Sequence, residues 1–120
     1  MEDKRLYEGE FRFMSLIWDG EPIPSGRLAE LAREKLGWKK STTYTMLKRL
    51  GEKGFVKNDN ATVTALVGRG EVQAAESAAV VEQTFAGSLP GFLVSFFGGR
   101  TISDEEAEEL KRLIDAHKEG

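Results

Sequence analysis

The chain has 120 residues, 40% of them hydrophobic and 31% charged, with a formal net charge of −3. That length suits one compact unit, or a small domain with a helical appendage. With no cysteine and a single histidine, His117, there can be no disulfide and no thiolate metal site, and nothing supports a histidine cluster or a His-based triad. The opening MEDKRLYEGE lacks the apolar core of a secretory signal. The longest apolar run, FLVSFF, is too short to cross a bilayer, so a cytoplasmic protein without membrane insertion is expected.

YEGEFRFMSLIWDGEP predicts a first helix with Phe13, Met14, Leu16, Ile17 and Trp18 mostly on one side, stopped by DGEP. PSGRLAELAREKLGW predicts a second, with Ser25 as N-cap and Leu28, Leu31, Ala32 and Leu36 at helical spacing. Gly37 fits the C-terminal position that needs left-handed backbone. Trp38 is expected to plug the core within the following turn.

A third helix is predicted over 41–53. Thr43, Leu47 and Leu50 face inward with Met46 beside them. Ser41, Thr45, Lys48 and Glu52 then point outward, with Tyr44 and Arg49 on the flanks. Gly54 ends the helix. Phe55-Val56 begins a strand, Asn58 to Asn60 make a turn, and TVTALV returns with clean alternation. Three helices followed by a two-stranded hairpin is the order of a winged helix-turn-helix, with the third helix as reader and the hairpin as wing. The expected fold class is therefore mainly α with a small β-hairpin. A winged-helix DNA-binding domain is assigned to 1–70 and a helical dimerisation region to 71–120.

Beyond Gly70, EVQAAESAAVVEQTF reads as a helix. SLPGFLVSFFGG reads as another, with Ser88 as N-cap. SDEEAEELKRLIDAHKEG reads as a last amphipathic helix with Ala107, Leu110, Leu113, Ile114 and His117 inside. Its acids Asp104 to Glu109 suit a Ser103–Glu106 capping box and the helix dipole better than a cation site. The stretch from Phe85 to Phe97 is too apolar to lie alone on a small domain, and exposed patches of that kind mark interfaces. A symmetric homodimer covering its own patch is the economical reading, through Phe85, Leu89, Phe92, Leu93, Phe96, Phe97, Leu110, Leu113 and Ile114.

Charge divides the chain. Residues 1–57 hold twelve Lys/Arg and nine Asp/Glu, a net of +3, and residues 58–120 hold five and eleven, a net of −6. From Lys39 to Lys57 six basic residues face one acid, Glu52. Local potential, not whole-chain charge, decides whether a surface attracts phosphates. Basic residues near a helix C-terminus also have a plain explanation in the helix dipole and a solvated face. The hairpin after this helix and the glycine-bounded turn before it favour duplex DNA. Lys40, Ser41, Thr42 and Thr45 are the candidates near the groove, with Tyr44, Lys48 and Arg49 nearer the DNA backbone and Lys57 on the wing. No nucleophile–base pair or metal cluster can be built from this inventory, so neither an enzyme nor a cofactor is expected. The overall acidity and short wing keep a rival open: a winged-helix module for protein–protein assembly that binds no DNA.

EFRFMSLIWDGEP followed by LAELAREKLGWKKSTTYTMLKRLGEKGFV resembles the DNA-binding half of the penicillinase repressor family, which includes methicillin-resistance repressors and copper-responsive relatives. FAGSLPGFLVSFF…ISDEEAEELKRLIDA resembles that family's dimerisation region. The resemblance implies a homodimeric winged-helix repressor on palindromic operators. It also implies that a membrane sensor protease cleaves the C-terminal region of antibiotic-responsive members. This chain departs in three places. It lacks the cysteine pairs of the copper-sensing branch, its wing carries only NDN where relatives have a longer loop, and Ser95-Phe96 stands where the family's cleaved Asn-Phe pair falls. The last departure predicts that co-expression with a family sensor protease leaves this chain intact. A discrete fragment ending near Ser95 on a gel would contradict it.

Overall fold

Phe13, Met14 and Ile17 recur at helical spacing, and α1 (Glu8–Gly20) buries all three completely. They meet Leu28 and Ala32 of α2 (Ser25–Leu36) and Leu47 and Leu50 of α3 (Lys40–Glu52). Ile23 from β1 (Ile23–Pro24), Val56 from β2 (Val56–Asp59) and Val63 from β3 (Thr62–Ala65) join this core, together with Phe55. So does Val72, in the first turn of α4 (Arg69–Phe85). Each of these side chains apart from the small Ala32 contributes roughly 1.5–3 kcal/mol by leaving water. Helices α5 (Leu89–Phe97) and α6 (Asp104–Ala116) complete the chain. The structure, a computed structural model, describes residues 5–119. Residues 1–4, part of the stretch read above as lacking a secretory signal, lie outside the described residues.

The turns follow local chemistry. Gly37 adopts φ +72, and the N–H groups of Gly37 and Trp38 donate to the carbonyls of Arg33 and Ala32, closing α2 as a glycine-ended helix does. Trp38 stacks on Phe13 with centroids 5.2 Å apart, as expected of the plug in this turn. Gly54, at φ +84, lets the chain leave α3 and enter the sheet.

The sheet has the antiparallel order β1-β3-β2, with Ile23 opposite Val63 and Val56 opposite Ala65. Two expectations change here. Ser25 does not cap α2. Strand β1 runs directly into the helix, so Pro24 takes the cap position and Ser25 becomes the first helical residue, 6% exposed. Its N–H donates to the Ala61 carbonyl at 2.8 Å. The hairpin turn is also displaced. Asn58 and Asp59 are paired in β2, and the turn falls on Asn60 and Ala61, at φ +51 and +60. A two-residue loop with left-handed backbone at both positions is a type I′ turn, whose twist matches the flanking strands.

Alanine pays a steric cost there that glycine does not. Ala61→Gly should raise stability by about 1 kcal/mol, since the Ser25 bond uses only backbone atoms. Thermal denaturation would show it, and an unchanged or lowered Tm would mean the turn holds no strain.

The chain divides into two compact units between Val80 and Val81. In the second, the rings of Phe85, Phe92, Phe96 and Phe97 form a ladder with successive centroids 5.5, 6.0 and 5.7 Å apart. Ser88 caps α5 by accepting the Gly91 N–H at 2.9 Å, and Ser103 caps α6 by accepting that of Glu106 at 3.1 Å. No residue of α5 or α6 is buried. Leu89, Leu113 and Ile114 are each more than half exposed. Ala107 and Leu110 are half-buried, so the predicted inner face of α6 is only partly covered within one chain. Among the described residues no helix is long and apolar enough to cross a membrane.

Candidate nucleic-acid interface

Helix α3 is held by one face. Thr43, Leu47 and Leu50 are buried and Met46 is half-buried, so the helix cannot roll without opening the core. Its period then turns Lys40, Ser41, Thr42, Tyr44, Thr45, Lys48 and Arg49 outward, all of them exposed. The first turn contains no acid. At about 1.5 Å per residue its 13 residues span roughly 20 Å, enough to lie in a major groove.

These side chains are not equally free. Lys40 and Lys48 have no carboxylate partner among the described residues. The Tyr44 hydroxyl donates to Ser25 Oγ at 3.4 Å, tying the middle of α3 to the start of α2. Arg49 Nη1 lies 3.9 Å from Glu10 Oε2. Lys57 lies off the helix, on β2, with its Nζ 3.9 Å from Asp59 Oδ2. Both groups of that last pair are mostly exposed, so it contributes little.

Two clusters escape the sequence patterns. Glu10, 2% exposed, accepts the Tyr7 N–H at 3.0 Å and meets Lys53 Nζ at 3.3 and 3.4 Å. An acid in a first helical turn reads as a dipole partner, and its true cation lies 43 residues away. Arg69, just ahead of the helix expected beyond Gly70, opens α4 and binds Asp19 at 2.9 Å while its guanidinium sits over the Trp18 ring. Trp18 Nε1 donates to the Val67 carbonyl at 2.9 Å, so the end of α1 clamps the start of α4. Among the described residues no group of three His, Cys, Asp or Glu side chains could hold a metal ion.

An α2–turn–α3 pair carried on α1 and flanked by a β2–β3 hairpin defines a winged helix-turn-helix domain. The chain belongs to the penicillinase repressor family, whose model matches residues 7–116. It is similar to the methicillin resistance regulatory protein MecI of Staphylococcus aureus strain Mu50, 25% identical over 119 residues, covering 93% of this chain and 97% of that protein. It is also similar to the penicillinase repressor of Bacillus licheniformis, 22% identical over 118 residues, covering 95% of this chain and 92% of the relative. An uncharacterized 16.5 kDa protein of Latilactobacillus sakei is 27% identical over 113 residues, covering 89% and 76% respectively.

Proposed function

We propose that this chain is a transcriptional repressor that binds a palindromic operator as a homodimer in the cytoplasm, and that it is not an enzyme. The outward face of α3 carries this reading: short hydroxyls at Ser41, Thr42 and Thr45 stand beside Lys40 and Lys48, cations with no carboxylate partner among the described residues, on a helix anchored by three buried residues. Short side chains let a helix approach base edges, and long cations reach phosphates, which fix register without reading sequence. The relatives named as a penicillinase repressor and a methicillin resistance regulatory protein support the same role. The domain assignment of residues 1–70 to DNA and 71–120 to dimerisation belongs to this proposal, as does the absence of a cofactor. The exposed Leu89, Phe96, Leu113 and Ile114 support dimerisation, because so much apolar surface on two short helices calls for a partner.

The test is selection from a random-sequence duplex pool with the purified protein, followed by footprinting upstream of its own gene. The expected result is an enriched two-fold symmetric sequence, found again in that promoter. A protein that retains no duplex at low salt would instead fit the assembly-module reading, which the overall charge of −3 favours.

A further inference from the structure

We infer that Glu10 is a positioning residue for DNA recognition: its buried carboxylate fixes the register of α3 in the groove and aims Arg49. This inference rests on the DNA-binding reading above. Glu10 belongs to α1, not to the helix that carries the candidate contacts, yet it is 2% exposed and gathers two cations from α3 and its C-cap. Lys53, the C-cap of α3, lies 3.3 Å from it, and Arg49, one turn earlier, lies 3.9 Å from it. The carboxylate is itself held by the Tyr7 N–H at the start of α1. Lys53 is further confined by the Phe55 ring, 5.3 Å below its ammonium.

Stability alone does not account for this arrangement. A buried ion pair is often no better for stability than well-packed apolar side chains. Its particular property is direction. Two cations on successive turns of α3, converging on one anchored carboxylate, resist both rotation of the helix and sliding along its axis. The buried Leu47 and Leu50 already stop α3 from rolling, and the ion pairs add a directional fixed point at its C-terminal end. Thr45 stands one turn before Arg49, so fixing Arg49 fixes the residue placed at the base edges. Recognition groups need such supporting contacts to hold their geometry. Arg49 is 55% exposed, so its guanidinium can reach a phosphate while Glu10 sets its direction.

Glu10→Gln keeps the shape and the acceptor for Tyr7 and removes the charge. The probes are the duplex selected by the wild-type protein and a scrambled duplex of equal length. The variant should lose at least about tenfold in the ratio of selected to scrambled affinity, the size of one good base contact. Affinity for scrambled DNA should hold, and the slope of log K against log salt should change by less than about one per protomer, because Arg49 reaches phosphate with or without Glu10. A merely structural role would lower both affinities by the same factor, and that outcome overturns the inference, as does an unchanged ratio. Should Glu10→Gln fail to fold, Lys53→Met decides. It keeps the apolar stem over Phe55 and should lower the same ratio, and an unchanged ratio overturns the inference. A wild-type protein that selects no sequence sinks the DNA reading and this inference with it. A wild type that selects, beside a variant with an unaltered ratio, overturns only the role of Glu10.

Discussion

Removal of residues 88–120 should leave a folded, monomeric domain whose affinity for the operator is lower by orders of magnitude. Folding should survive because every member of the buried core, from Phe13 to Val72, lies in the part retained. Helices α5 and α6 contribute no buried residue to it. Dimerisation should be lost because the removed segment carries Leu89, Phe92, Phe96, Phe97, Leu110 and Ile114, apolar side chains that one chain leaves half-buried or exposed. Affinity should collapse because two half-sites bound by linked modules gain about 10²–10⁴-fold over either alone, and separate modules forfeit that factor. Sedimentation and operator titration of the truncated chain measure both effects. If the shortened protein still sediments as a dimer, the interface lies outside α5 and α6. If it sediments as a monomer with undiminished affinity, a single module supplies all the recognition.

Features written in local chemistry were legible from the residues alone. Gly37 and Gly54 mark left-handed turns, Ser88 and Ser103 cap the helices that follow them, and the spacing of Thr43, Leu47 and Leu50 divides α3 into a buried and an open face. What escaped depends on partners distant in sequence. Strand β1 is two residues long, and only pairing with β3, some forty residues later, makes it a strand. That pairing also moved the cap of α2 from Ser25 to Pro24. The hairpin turn was misplaced because Asn and Asp favour turns, while the ladder register puts Ala61, a poor left-handed residue, at the bend. On α3 the helical period revealed which side chains point out, but not that Tyr44 is held by Ser25 and Arg49 by Glu10. Buried charge partners leave no periodic trace, so the candidate surface was legible and the contacts that aim it were not.

Thr45→Ala and Lys48→Ala should separate reading from holding. Both residues are exposed on the same face of α3, one turn apart, and neither packs in the core, so both variants should fold with nearly unchanged stability. Thr45 is short and central, and its hydroxyl and methyl can meet a base edge or a thymine methyl. Its loss should cost on the order of 1–3 kcal/mol on the true operator and little on scrambled DNA. Lys48 is long and has no carboxylate partner among the described residues, so its ammonium is free to displace counterions at a phosphate. Its loss should weaken all sequences alike and reduce the slope of log K against log salt by about one per protomer. Titrating both variants on operator and scrambled duplexes across a salt series gives four curves. An operator-specific loss at Thr45 with an unchanged slope, beside a uniform loss at Lys48 with a shallower one, assigns the two roles. The reverse pattern would turn the helix around in the groove. Unchanged binding in both would mean that α3 is not the reader, and the repressor would need another surface for its DNA.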